Sequence, residues 1–237
     1  LMAENSEWKN DEEEARARKE AEEAGAELKT GAMVTGLTKE RVVTAVTREG
    51  LLTCRAGAVV LATGCRERTR GAIAIPGTRP AGVYTAGAAQ NLLNTKNLMV
   101  GRRVVILGSG DIGLIMARRL TLEGATVLCV AEARPVPGGL ERNVSQCLYD
   151  FGIPLYLSTT VTQIFGPKRV EGVELCQVDA RGQPRPETAR RVDCDTLLLS
   201  VGLIPENEVG SKAGMAVDPA TNGAVTDDFL QTNLPGV

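Results

Sequence analysis

A glycine-rich loop carries the clearest chemical pattern in this sequence. Gly108, Gly110 and Gly113 follow a β-branched run, residues 104–107, and precede helix-forming residues. In a G-x-G-x-x-G loop the first glycine makes a tight turn, the second lets the backbone approach a pyrophosphate, and the third lets the helix pack on the strand. The free N–H groups of the helix N-terminus suit a doubly charged pyrophosphate. The pattern predicts a dinucleotide site containing Gly108, Ser109, Gly110, Asp111, Ile112 and Gly113.

An acidic residue ends the next apolar run. Glu132 follows residues 127–131, where a carboxylate accepts hydrogen bonds from the adenosine ribose. This residue favours NAD, because its charge would repel the 2′-phosphate of NADP. NADP stays open as an alternative, since Arg134 lies two residues on and could pair with that phosphate. The competing interpretation is a glycine turn that only packs a helix on a sheet, but the order of strand, loop, helix, strand and acid favours a nucleotide site.

The cysteines and the missing histidines restrict the other chemistry. The sequence has no histidine, which excludes histidine-dependent acid/base or nucleophilic catalysis by this chain. The six cysteines show no C-x-x-C pair and no metal-type spacing, so we expect no metal site and assign no catalytic residue. Most of them should be small core residues; they are Cys54, Cys65, Cys129, Cys147, Cys176 and Cys194.

Composition indicates an ordinary globular chain. Its 237 residues can form one large α/β domain or two small ones. With a net charge of −2 and 3% aromatic residues, nothing indicates a nucleic-acid surface. No apolar run reaches the roughly 18 residues that a membrane helix needs, and the first residues resemble no export signal, so we expect a cytoplasmic protein without a membrane anchor. The leading Leu1 suggests a fragment of a longer protein.

Alternating apolar runs and helical patterns give the elements that must position the loop. Helices are expected over residues 11–24, 85–96, 112–123 and 140–151. Strands are expected over residues 32–37, 41–48, 51–55, 127–131, 154–158, 161–165 and 195–201, with a meander around 173–178. Residues 57–62 are apolar throughout and predict a fully buried strand.

Four motifs in order resemble one family. They are Ala62-Thr63-Gly64, the glycine loop, Val201-Gly202-Leu203-Ile204-Pro205, and Thr232-Asn233-Leu234-Pro235-Gly236-Val237. Together they resemble the two-dinucleotide flavoproteins of the pyridine nucleotide–disulfide oxidoreductase type. The segments 64–71 and 108–119 are similar to the NAD/FAD subunits of opine and amine oxidases and of cyanide synthases.

The resemblance implies an α/β fold with a Rossmann-like βαβ NAD(P)-binding domain and a β-meander, flanked by incomplete parts of an FAD-type domain. The implied boundaries are residues 1–84 for the first FAD-type part, 85–204 for the NAD(P) domain and 205–237 for a truncated return segment. The family's FAD glycine loop is absent from residues 1–61, and its Ala-x-Gly-Asp segment is also absent. We therefore expect FAD in the intact parent but not retained by this chain.

Two further glycines are candidate cofactor contacts. Gly64 ends a strand-like run, where the backbone would approach a cofactor or simply stop the strand. The resemblance places Gly202 near the nicotinamide, although it could serve only to redirect the chain. Cys65 lies beside Gly64 but has no second thiol, so we expect an inert side chain. The arginines of the same loop are expected to be solvated or, alternatively, to line an anionic site; they are Arg66, Arg68 and Arg70.

The resemblance implies an NAD(H)-binding domain or fragment of an FAD/NAD-dependent oxidoreductase, in which hydride passes between nicotinamide and flavin. Alone, this chain is expected to be inactive. The alternative is a non-catalytic NAD(H)-binding or redox-sensing module. Expected partners are NAD(H), a partner subunit or the remaining FAD-domain segments, and an oligomer is compatible with the sequence.

Overall fold

The computed structural model describes the backbone of residues 7–237, with the side chains of residue 13 and residues 15–237. The first six residues, part of the stretch that resembles no export signal, lie outside the described residues. The described helices are α1 (Glu7–Glu23), α2 (Ala86–Asn94), α3 (Asp111–Leu122), α4 (Glu141–Cys147) and α5 (Glu208–Ala213). The described strands are β1 (Met33–Leu37), β2 (Val42–Thr47), β3 (Gly50–Arg55), β4 (Cys65–Glu67), β5 (Val83–Thr85), β6 (Arg103–Leu107), β7 (Thr126–Ala131), β8 (Leu155–Tyr156), β9 (Thr159–Phe165), β10 (Gly172–Gln177), β11 (Arg190–Val192), β12 (Thr196–Leu199) and β13 (Leu203–Pro205).

The chain divides into two compact units. Residues Gly64–Glu206 form the larger unit, and the smaller unit combines the segment that ends at Thr63 with Asn207–Val237. The connector residues 64–84, which the resemblance grouped with the first FAD-type part, belong to the larger unit, where β5 pairs with β12.

A parallel five-stranded sheet forms the centre of the larger unit. Its strand order is β5-β12-β6-β7-β8, and each neighbouring pair is parallel. Strands β6 and β7 are joined through α3, which is the predicted βαβ unit. The α/β Rossmann-like fold class is therefore confirmed, and the strand and helix on either side of the glycine loop lie within one or two residues of their predicted bounds.

Both faces of this sheet are buried. Successive residues of a strand point to opposite faces, so each strand supplies side chains to two cores. On β6, Val104 and Ile106 pack in a core with α2, α3 and α4, while Val105 and Leu107 pack in a second core. The second core includes residues of the antiparallel meander β9–β10–β11. This burial on both faces explains the uninterrupted apolar character of the run.

The first and last strands of the larger unit pair as a two-stranded antiparallel ribbon. Strands β4 and β13 pair so that Cys65 lies opposite Pro205 and Glu67 opposite Leu203. The N–H of Glu206 donates to the carbonyl oxygen of Gly64 at 3.0 Å. The first and last residues of this unit are thus hydrogen-bonded to each other.

The smaller unit contains the antiparallel meander β1–β2–β3 and α5, which packs against β1. Its buried core residues are Leu37, Ala213, Met215, Leu234 and Val237. The predicted N-terminal helix is present as α1, whose i,i+4 ion pairs include Arg16–Glu20 at 3.5 Å and Lys19–Glu23 at 3.7 Å. No helix within the described residues is long and apolar enough to span a bilayer.

Two predicted elements are wrong in part. Residues 57–62 form no strand, and Val60 is 91% exposed. A buried strand needs neighbouring strands for its backbone groups, and no strand of the described chain pairs with this run. The predicted helix over 140–151 is broken: α4 ends at Cys147 and a 3₁₀ turn, Tyr149–Phe151, follows. Gly152 then stops the turn with a φ of 64°.

Candidate functional site

A cleft of about 450 Å³ opens at the carboxyl ends of the central strands in the larger unit. Ligands of open α/β sheets bind at this edge. The cleft brings together residues from five separate segments of sequence: Ile73, Ile75, Leu107, Gly108, Gly110, Glu132, Ala133, Arg134, Gly138, Thr160, Val161, Ser200, Val201 and Gly202. Four of the predicted site residues are among them, namely Gly108, Gly110, Glu132 and Gly202.

The glycine loop is shaped by its contact with the end of the neighbouring strand. Gly108 has a φ of 98°, and a Cβ there would lie 2.0 Å from the carbonyl oxygen of Ser200. A Cβ on Gly113 would lie 2.7 Å from Cβ of Ser200. Both positions therefore exclude side chains for packing reasons.

Gly110 differs from the other two glycines of the loop. It is the residue before α3, with φ −66° and ψ 160°. A Cβ there would meet only Ser200, at the ordinary distance of 3.6 Å from Oγ. The protein leaves open space at Gly110, next to the N–H groups of the first turn of α3, and this is the space a pyrophosphate requires.

Glu132 ends β7 and is only 7% exposed. Its Oε2 accepts hydrogen bonds from N and Oγ of Ser109 at 2.9 and 2.6 Å. Its Oε1 accepts from N and Nε of Arg134 at 3.0 and 3.4 Å. Burial acts to raise the pKa of Glu132, but the hydrogen bonds from Ser109 and Arg134 outweigh it and lower the pKa below the ordinary value. The carboxylate is therefore held in its charged form.

Ser109 links the glycine loop to the loop after Glu132. Its buried hydroxyl donates to Glu132 and accepts from N of Gly138 at 2.8 Å. Its carbonyl oxygen accepts from N of Gly139 at 2.8 Å. The N–H, hydroxyl and carbonyl groups of Ser109 are thus all hydrogen-bonded to other segments, and Ser109 joins the glycine loop to residues 132–139.

Asp111 begins α3 and connects it to α4. Its Oδ1 accepts from N of Leu140 at 2.8 Å and from Nδ2 of Asn143 at 2.7 Å. The hydrogen bond from Asn143 is the main reason that the pKa of Asp111 is lowered. Ile112, the next residue, is 39% exposed. Neither residue lines the cleft. Both lie in the first turn of α3, directly after the lining residue Gly110.

Gly64 and Gly202 have separate surroundings. Gly202, with a φ of 99°, lines the cleft, and its carbonyl oxygen accepts from N of Arg68. Gly64, with a φ of 69°, does not line the cleft. A Cβ at either glycine would meet no atom within 4 Å, so backbone conformation, not close packing, requires glycine at both positions.

The arginine loop is largely tied to the protein. Arg66 pairs with Glu206. The guanidinium of Arg70 donates to the carbonyl oxygens of Ile75, Gly77 and Thr78, and burial lowers its pKa. Arg70 is thus held by hydrogen bonds within its own loop, and it lines a second cavity together with Arg79. Cys65 is an exposed free thiol, so a reagent in solution can reach it. The expectation that it is inert therefore concerns only its part in the cofactor chemistry.

The cleft also contains residues from distant segments that no sequence pattern predicted. Ser200 shapes the glycine loop, and Ile73, Ile75 and Thr160 line the cleft. No local pattern distinguishes them, because each is brought to the glycine loop by the strand order or by a loop packed on the sheet.

The chain resembles known proteins over nearly its whole length. Residues 3–237 match the family described as pyridine nucleotide-disulphide oxidoreductase. A probable ferredoxin reductase of Castellaniella defragrans is 30% identical over 186 residues, which are 76% of this chain and 41% of that protein. An opine oxidase subunit from Agrobacterium tumefaciens is 28% identical over 166 residues, 66% of this chain and 32% of that protein.

The fold has solved counterparts. The crystal structure of T. acidophilum thioredoxin reductase matches with a TM-score of 0.70 and 22% identity, covering 95% of this chain and 70% of that one. This likeness concerns the fold alone. The chain spans less than half the length of either relative named above.

Proposed function

The chain belongs to the pyridine nucleotide-disulphide oxidoreductase family, as its four motifs predicted, and we propose that its larger unit binds NAD(H) in a protein that passes hydride between nicotinamide and FAD. The family is one of oxidoreductases, so an enzymatic role is expected for the intact protein. The observation that carries the proposal is the open backbone at Gly110 beside the N-terminus of α3, with the charged Glu132 at the end of the next strand.

The residues of the cleft fit a dinucleotide. The loop offers N–H groups for the pyrophosphate, and we assign Glu132 to the adenosine ribose because it directly follows β7. The ring of a bound nicotinamide carries the hydride chemistry. The chain's own task is to bind it, to orient it by way of the backbone near Gly202, and to exclude water with the apolar side chains Ile73, Ile75 and Val201.

The preference for NAD over NADP follows from Glu132. A carboxylate has about four acceptor sites, and Ser109 and Arg134 use all four here. The contact from Nε of Arg134 is the longest, at 3.4 Å, so a ribose hydroxyl would displace it most easily. A 2′-phosphate in the same place would face the negative charge of Glu132.

We do not expect this chain alone to bind FAD. Residues 1–61 contain no glycine loop of the dinucleotide type, so they supply no such loop for the pyrophosphate of FAD. Incubation with FAD followed by gel filtration should leave no visible flavin absorbance on this chain. A retained flavin band that bleaches on anaerobic addition of NADH would contradict that expectation.

Calorimetric titration with NADH tests the proposal. We expect saturable binding by the chain and loss of binding in Gly110→Val, because the new side chain enters the open space at the loop. Gly57→Val is the control, since a Cβ at Gly57 meets nothing within 4 Å. Unchanged NADH affinity in a folded Gly110→Val variant would remove the site from this loop, and no binding by the unaltered chain would refute the proposal.

A further inference from the structure

The charged side chains that line the cleft balance each other before a ligand binds. Among the residues that line it in the described part of the chain, Glu132 is the one carboxylate and Arg134 the one cation. Asp111 adds a carboxylate at the start of α3, outside the lining, where Arg142 is its neighbouring cation. A bound dinucleotide brings two more negative charges on its pyrophosphate, while a helix N-terminus offers only about half a positive charge.

Arg134 lies against the glycine loop. A Cβ built on Gly138 would be 2.3 Å from Nη2 of Arg134 and 3.5 Å from the backbone N of Gly110. The guanidinium and the amide of Gly110 therefore flank the same point in space. Gly138 leaves room for the guanidinium only because it has no side chain.

The backbone of Arg134 is fixed, although its side chain is open to solvent. The N–H of Arg134 donates to Oε1 of Glu132 at 3.0 Å, and its carbonyl oxygen accepts from N of Ser158 at 3.0 Å. The side chain is 59% exposed, and Nε makes the long 3.4 Å contact with Glu132. A ribose hydroxyl that displaces this contact would leave the guanidinium free to turn to a phosphate.

We infer that Arg134 binds the pyrophosphate of the dinucleotide, not the ribose 2′ position. The inference rests on the proposed function, since it assigns a residue to the same site. Arg134 pairs by charge with the phosphate oxygens that the amides near Gly110 also bind, and it offsets the negative charge of Glu132. Guanidinium groups suit this role because they form charge-assisted, bidentate hydrogen bonds to phosphate.

The test compares ligands that differ in their phosphates. Calorimetric titrations with adenosine, ADP-ribose and 2′-phospho-ADP-ribose are run on the unaltered chain, on Arg134→Gln and on Arg181→Gln, the charge-matched control outside the cleft. We expect Arg134→Gln to lower the affinity for both ADP-ribose compounds by about tenfold and to leave the affinity for adenosine unchanged. The salt dependence of ADP-ribose binding should fall in the same variant.

Two results would overturn the inference. One is a loss confined to 2′-phospho-ADP-ribose, which would place Arg134 at the ribose; the other is unchanged affinity for ADP-ribose. Gly138→Ala provides a second variant, because its Cβ displaces the guanidinium, and it should weaken ADP-ribose in the same direction. Failure of the unaltered chain to bind ADP-ribose would instead refute the proposed function, and with it this assignment.

Discussion

At the scale of single residues, the glycines of one loop have different physical reasons to be glycine. A Cβ on Gly113 would overlap Ser200, whereas a Cβ on Gly110 would make an ordinary contact. We expect Gly113→Ala to lower the free energy of unfolding by about 1–3 kcal/mol. Gly110→Ala should leave the free energy of unfolding unchanged and weaken the binding of NADH. Urea unfolding monitored by circular dichroism measures the difference, and equal destabilisation of the two variants would contradict it.

The thiols should divide into two groups by burial. Cys54 and Cys65 are exposed, and the other four cysteines are buried. Burial raises the pKa of Cys129 to about 11 and of Cys194 to about 12, so almost no thiolate forms at these positions at pH 8. A thiol reagent such as DTNB should label two cysteines rapidly in the native chain and six after denaturation. Rapid labelling of more than two in the native chain would disagree with the structure.

Glu132 should make the free energy of unfolding depend on pH in the acidic range. Because its folded pKa lies below the ordinary 4.5, the carboxylate contributes stability above pH 4.5 that is lost as the pH falls through the folded pKa. Glu132→Gln should cost about 1–3 kcal/mol at neutral pH. The gap between the two proteins should narrow as the pH drops below 4.5. A gap that stays constant down to pH 3 would show that Glu132 is not preferentially charged when folded.

At the scale of elements, Asp111 joins two helices through one carboxylate oxygen. Asp111→Ala removes the acceptor for Leu140 and Asn143, so the N-terminus of α4 should open more often. We expect amide exchange over residues 141–147 to accelerate by roughly tenfold. Asp179→Ala is the control, since its carboxylate accepts hydrogen bonds from N of Arg181 and N of Gln183 in its own turn. Unchanged exchange in Asp111→Ala would show that packing alone holds α4.

The elements that sequence predicted well are those with local causes. Helix α3 and strands β6 and β7 follow from apolar spacing and the glycine stop. The run 57–62 misled because an apolar segment favours burial but does not supply the strands that must pair with it. The short strands β4 and β13 lack such a pattern, and they exist because they pair with each other.

At the scale of the whole molecule, the larger unit is one continuous segment with its own two cores. Its ends are joined by the bond from Glu206 to Gly64. We expect residues 64–206 expressed alone to unfold cooperatively and to bind NADH with an affinity within about threefold of the full chain, because the whole cleft lies in this segment. Heat denaturation and NADH titration measure both properties. Loss of NADH binding in a folded segment 64–206 would show that the site needs residues of the smaller unit.

The amino-acid sequence alone is enough to predict the α/β class, the βαβ unit, the family and the residues of the glycine loop. These depend on spacing along a few turns of chain, where hydrophobic periodicity and glycine conformation act locally. Tertiary packing, by contrast, sets the contact of Ser200 with the loop, the hydrogen bonds from Ser109 to Glu132, and the set of distant residues that close the cleft. These contacts join segments far apart in sequence through strand order and packing, and no local propensity encodes them.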